Sequence, residues 1–225
     1  MSAVAATPDN REGASRMGDP NRLGHGEVPS DQRGPAEKRI VVAYGFWIFL
    51  LSDFIMFAGF FAAYAVLVGA TAGGPAPREL FDLRLVAWET AVLLLSSFSC
   101  GMAGVAVVAR NRLWFLVAMG VTSVLGTAFL ALELYEFLHL IGEGAGPSRS
   151  AFLSAFFALV GCHGLHVLLG LIWATTMMAQ VWAKGFRADI RRRIACWSLF
   201  WHALDIIWVA LFTTVYLFGA GLNAA

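Results

Sequence analysis

Charge is scarce in this 225-residue sequence: only 14% of it is Asp, Glu, Lys or Arg, against about a quarter in ordinary soluble domains. Acidic and basic residues nearly balance, at 15 and 16, so there is no basic field to attract a nucleic acid, and no nucleic-acid partner is expected. Cysteine is sparse too. Cys100, Cys162 and Cys196 all lie in or beside apolar segments, and none belongs to a CxxC or other metal-ligand spacing, which leaves them as small buried hydrophobes. The chain has no HExxH, no GxSxG and no glycine-rich phosphate loop, so nothing points to a hydrolytic nucleophile or a nucleotide cradle. Residues 1–39 hold no apolar run long enough for a signal peptide, and their Gly, Pro, Asp, Asn, Arg and Glu read as a flexible, uncleaved tail in which His25 stands alone.

What the sequence does have is apolar length. With 59% hydrophobic residues, it holds five segments at about 40–68, 85–109, 113–141, 151–181 and 194–218. Each exceeds the roughly 20 residues that cross a hydrocarbon core, and only helices satisfy the backbone there when strands cannot close into a barrel. The expected fold is an all-α integral membrane protein, a bundle of five transmembrane helices over residues 40–219. Short joints make sequential helices antiparallel neighbours. Lys and Arg concentrate in the tail, in the second joint (Arg110, Arg112) and in the fourth (Lys184 to Arg193), leaving only Arg78, Arg84 and Arg149 for the other side. The positive-inside rule therefore puts the N-terminus in the cytoplasm and the C-terminus in the periplasm. Trp47, Trp114, Trp182 and Trp197 are expected at the cytoplasmic interface and Trp88 at the outer one. Gly59 with Ala63, Ser97 with Gly101, and Gly161, Gly164 and Gly170 have the spacing that lets helices approach closely.

Polar side chains inside such segments are costly, about 2.5 to 3.5 kcal/mol for a charged residue at the helix centre, and they face the bundle interior. GCHGLHVLLG (Gly161 to Gly170) sets His163 and His166 on one helical face near mid-membrane. Asp53 on the first helix and His202 with Asp205 on the fifth lie at similar depth. A shared polar layer is the expectation. Glu133, Glu136 and His139 step by three along the outer third of the third helix, and Glu89 lies near the outer end of the second. The residues alone leave four roles open for the layer: hydrogen bonds that fix register, a lipid or small-ligand pocket, a haem or metal site, and proton conduction. Matched, repeated axial ligands for a bis-histidine haem are lacking.

Three stretches are similar to a known family. GFWIFLLSDFIMFAGFFAAYAVL (Gly45 to Leu67), GPSRSAFLSAFFALVGCHGLHVLLGLIW (Gly146 to Trp173) and SLFWHALDIIWVALFTTVYLFG (Ser198 to Gly219) resemble subunit III of the haem–copper terminal oxidases. Asp53, the TAGGP after the first segment and EFLHLIGEGAGP look most like the bo-type ubiquinol oxidase branch. The resemblance implies a non-redox subunit of a proton-pumping quinol oxidase in the bacterial inner membrane. It implies no cofactor on this chain, with haem b, haem o, copper and ubiquinol in the catalytic partner. The implied partners are oxidase subunits I, II and IV and membrane phospholipids. Carried over by motif, Asp53 matches the family's (W)xFLxS(D/E) carboxylate, His163 and His166 its HGLH, His202 and Asp205 its WHxxD, and Glu133 with Glu136 its ExYE. These residues are the expected polar layer beside a lipid cleft, and no catalytic residue is expected among them. Cys162 stands where relatives often have Phe or Thr, and the two N-terminal helices of the seven-helix branch, which complete that cleft, are absent. Two alternatives stand beside this reading: subunit III of a cytochrome c oxidase or of a nitric-oxide-reductase-associated system, and a free-standing transporter. The transporter would show paired broken helices or an inverted repeat, and neither is visible.

Overall fold

Five helices follow from five segments that can satisfy their backbone in hydrocarbon only by internal hydrogen bonds. In the computed structural model, which describes residues 38–74 and 83–221, they are α1 (Lys38–Leu67), α2 (Leu83–Val108), α3 (Arg112–Gly142), α4 (Ala151–Lys184) and α5 (Ala188–Leu211). A π-helical turn, Phe212–Leu217, and a last helical turn, Phe218–Gly221, continue α5. All five spans are long and apolar enough to cross a membrane, and no strand occurs among the described residues. Of the tail expected over residues 1–39, residues 1–37 with His25 lie outside the described residues, as does Arg78 in the first joint, whereas Lys38 and Arg39 form the start of α1.

Local chemistry sets the ends. The Asn111 side chain accepts the Trp114 N–H at 3.1 Å to start α3, and Ser150 accepts that of Leu153 at 3.2 Å to start α4. Gly185, at φ +68°, closes α4, where a left-handed turn favours glycine. The fifth helix starts at Ala188, not at the Ile194 to which hydropathy alone assigned it. Its first turns are amphipathic: Ile190 is buried while Arg191 and Arg193 stay exposed, and Asp189 complements the N-terminal dipole. Charge thus ends the apolar run without ending the helix.

Helices α2, α3, α4 and α5 form a four-helix bundle in which sequential neighbours run antiparallel and α5 returns to α2. Along the α2–α5 seam, Trp208 Nε1 donates to Thr90 Oγ1 at 3.0 Å, Trp201 Nε1 donates to Ser96 Oγ at 3.1 Å, and Cys100 Sγ lies 3.5 Å from Ser198 Oγ. Partners that fall on one helix as they rise on the other mark antiparallel packing. On the α2–α3 seam, Ser99 and Thr122 donate across to Ala118 O and Ser96 O. Three buried indoles, Trp197, Trp201 and Trp208, tie α5 into the interior, each with its N–H bonded. Trp197 was expected at the membrane interface; instead it is buried, because its N–H reaches Gly170 O at 2.9 Å.

Close approach occurs where glycine faces an indole. A side chain at Gly126 would place Cβ 2.7 Å from Trp201 Cη2, and one at Gly170 would meet the same ring at 3.0 Å, so the indole is sandwiched between α3 and α4. Gly59 and Gly101, expected to mediate close packing, have open space beside them.

The first helix is attached differently. Its buried residues are Leu50, Phe57 and Tyr64, a seven-residue spacing that keeps one narrow seam turned inward. That seam runs along α4: Phe46 against Trp173 at 6.0 Å, Phe57 against His166 at 5.3 Å, and Tyr64 against Phe152 at 6.0 Å. Tyr64 also donates to Val215 O at 3.4 Å. The rest of α1 is largely exposed.

Candidate functional site

The polar residues anticipated from sequence separate into distinct groups within the bundle. The end where α1 finishes is called the far end below.

At mid-depth on the α1–α4 side, Asp53 is half-buried and lies within electrostatic reach of His166. The His166 ring donates from Nδ1 to the Cys162 carbonyl at 2.7 Å, which fixes the ring and leaves Nε2 as its remaining polar atom. On the other side, between α5 and α2, His202 Nδ1 lies 2.7 Å from Ser97 Oγ and 3.8 Å from Asp205 Oδ2. Asp205 is buried, and neither of its oxygens has a hydrogen bond among the described residues. Ser97, named above only as a small packing residue, is thus the partner that holds His202.

His163 lies between these groups but joins neither by a hydrogen bond. It is 0% exposed, and its ring is enclosed by Trp208 at 5.2 Å, Phe129 at 5.9 Å and Phe57 at 6.3 Å, with neither nitrogen hydrogen-bonded among the described residues. The shared layer therefore resolves into two outer pairs and one aromatic-boxed imidazole. The cause is geometric: His163 and His166 share a broad helical face, yet three residues of turn suffice to aim one ring at α3 and α5 and the other at α1.

A third group sits nearer the far end. Glu89 of α2 is 0% exposed and Glu133 of α3 is 2%; both are in electrostatic reach of buried Glu136. Tyr216 donates its O–H to Glu136 Oε2 at 3.0 Å. Neither oxygen of Glu89 or Glu133 finds a hydrogen-bond donor among the described residues. An unmade bond on a buried polar group costs about 1 to 3 kcal/mol, more when it is charged, so this cluster is the largest concentration of unmet polar demand in the bundle. His139, which steps with these glutamates in sequence, is not in the cluster: it is exposed, 3.6 Å from Glu143 and stacked on Tyr135. A second step of three along a helix drifts off the inward face.

Glu89 and Tyr216 were missing from the candidate set. Glu89 was placed near the outer end of its helix from sequence, and its grouping with the other glutamates follows from depth, because it lies about as far from the far end of α2 as Glu136 does from that of α3. Tyr216 gave no such signal. Its inward orientation comes with the π turn, in which the Phe218 N–H bonds back to Thr213 O, while the Thr213 and Thr214 hydroxyls compete for the carbonyls of Val209 and Ala210 at 2.8 Å each.

Chemically, these groups can fix helix register, hold and exchange protons, and meet polar groups brought from outside. Among the described residues, no set of three or more His, Cys, Asp or Glu converges closely enough to bind a metal ion.

Residues 36–220, which take in every helix of the bundle, match the family model described as cytochrome c oxidase subunit III. The chain is 52% identical over 177 residues to the cytochrome bo(3) ubiquinol oxidase subunit 3 of Pseudomonas aeruginosa, covering 79% of this chain and 85% of that one. It is 45% identical over 175 residues to the protein of the same name from Buchnera aphidicola subsp. Baizongia pistaciae, covering 78% and 90%. It is also 41% identical over 198 residues to the quinol oxidase subunit 3 of Bacillus subtilis, covering 88% and 97%. A five-helix bundle with Asp53, the HGLH of α4 and the His202–Asp205 pair inside it, matched across nearly its whole length, belongs to the cytochrome c oxidase subunit III family.

Proposed function

We propose that this chain is the non-redox third subunit of a proton-pumping ubiquinol oxidase of the bacterial inner membrane. The observation that carries the reading is that its relatives, matched over most of both chains, are named as quinol oxidase subunits. A cytochrome c oxidase or nitric-oxide-reductase-associated role lacks that support, and a free-standing transporter has none. In this reading the N-terminus is cytoplasmic and the C-terminus periplasmic, in keeping with Arg110 and Arg112 in the second joint and Lys184, Arg187, Arg191, Arg192 and Arg193 in and around the fourth. Subunits I, II and IV are its partners, and haem b, haem o, copper and ubiquinol belong to the catalytic subunit.

The chain's own contribution is structural and protonic. The bundle α2–α5, held by three indoles, offers a stiff surface for the catalytic subunit, whereas α1 stands off along one aromatic seam. Asp53 and His166, half-buried at mid-depth on that seam, support proton uptake, and the exposed face of α1 beside them packs phospholipid acyl chains. Removing this chain from the host should lower ubiquinol-dependent oxygen consumption and the haem content of the membranes, and the wild-type chain should restore both. Unchanged oxidase activity and haem content in its absence would overturn the reading.

A further inference from the structure

One member of the carboxylate cluster, Glu133, lies behind a groove in the surface of the bundle. Between α3 and α4 lies a groove of about 320 Å³ whose walls include Leu134, Phe137, Leu165 and Leu168 and whose floor is formed by Gly161 and Gly164. Glu133 lines it from behind. A side chain at Gly164 would put Cβ 2.6 Å from Glu133 Oε2, so only glycine leaves the carboxylate in that position. Glu133 is 2% exposed, and neither oxygen has a donor among the described residues.

Depth narrows the occupant. From Glu133 to the end of α3 at Gly142 the helix rises about 13 Å, well inside a hydrocarbon core of about 30 Å. Phospholipid headgroups stay at the interface, and an acyl chain carries no donor. Walls stepping along α3 and α4 at helical spacing, over a glycine floor, form the kind of groove that accepts the side-chain ridge of another helix. Its walls are also open, since Leu134 is 56% exposed and Leu165 55%.

We propose that this groove receives a membrane-spanning helix of another subunit, which brings a hydrogen-bond donor to Glu133. The inference rests on the reading of the chain as an oxidase subunit and assigns the face by which it assembles.

The test uses the complete oxidase, purified through this chain, with the photoreactive residue p-benzoylphenylalanine at Leu165 and, separately, at Leu134 on the opposite wall. Both positions are exposed, so the bundle interior is undisturbed. Irradiation should give an adduct with a membrane-spanning peptide of another subunit that carries a donor side chain within one turn of the linked residue. Glu133→Leu should lower the yield of that adduct about threefold or more, the effect of losing one interhelical polar contact. Adducts with lipid alone, with a second copy of this chain, or none at all from either position would overturn the inference. If the chain copurifies with oxidase subunits yet labels only lipid, the subunit reading survives and the docking face falls; if nothing copurifies, both fall.

Discussion

Gly126→Ala is the substitution whose effect the structure fixes most closely. The new methyl group would stand 2.7 Å from Trp201 Cη2, 2.9 Å from Cζ2 and 3.1 Å from Leu171 Cδ2. The indole has no room to retreat, because Gly170 of α4 holds its other edge at contact distance and its N–H is bonded to Ser96. Overpacking of this kind costs about 1 to 3 kcal/mol, partly offset by the helix propensity of alanine, worth up to about 1 kcal/mol over glycine. Gly101→Ala is the matched control. It lies in α2 with nothing within 4 Å of the new atom, so it keeps the propensity gain without the clash. The difference between the two variants isolates the steric effect and should be about 1 to 3 kcal/mol. The assay is unfolding of the purified complex in mild detergent, followed by loss of this chain from the assembly as temperature or denaturant rises. Trp201→Phe removes the ring atoms nearest Gly126, so the double variant should be less destabilised than the sum of the singles. Equal stability of the Gly126→Ala and Gly101→Ala complexes would refute the account of how α3, α4 and α5 are locked together.

Other substitutions probe the polar groups. Thr90→Val strands the buried Trp208 N–H and should destabilise the bundle by about 1 to 3 kcal/mol, measured in the same unfolding assay; an unchanged midpoint would remove that bond from the account. Tyr216→Phe withdraws a donor from buried Glu136 and should cost about 1 kcal/mol, whereas Tyr135→Phe, on the exposed side of α3, should change nothing measurable. Glu143→Gln breaks only the exposed pair with His139 and should shift stability by less than about 0.5 kcal/mol. Asp53→Asn, half-buried on a sparsely packed helix, should assemble normally by blue-native electrophoresis; failure to assemble would make Asp53 a folding residue.

The number and type of helices were legible because hydrocarbon leaves a long apolar segment one way to satisfy its backbone. Their ends were less so. The ADIRRR run looked like a joint because hydropathy weighs charge, while the helix there only has to keep Ile190 inward. Which polar residues lie within the spans was also readable, since Asp53, Glu133, Glu136, His163, His166, His202 and Asp205 stand out against apolar surroundings. Which of them meet was not. Grouping depends on the rotation of each helix about its axis, set by contacts such as Trp201 between Gly126 and Gly170. Gly126 carries no mark in sequence that Gly101 lacks. Tyr216 depends further on a local π turn, where two threonine hydroxyls alter the register of the last span.

The most direct test of the central claim is to purify the tagged chain from native membranes in mild detergent, record its absorption spectrum, and identify by mass spectrometry what accompanies it. The account predicts larger subunits bearing b- and o-type haem, together with ubiquinol oxidase activity. A colourless chain that stays folded without partners would contradict it.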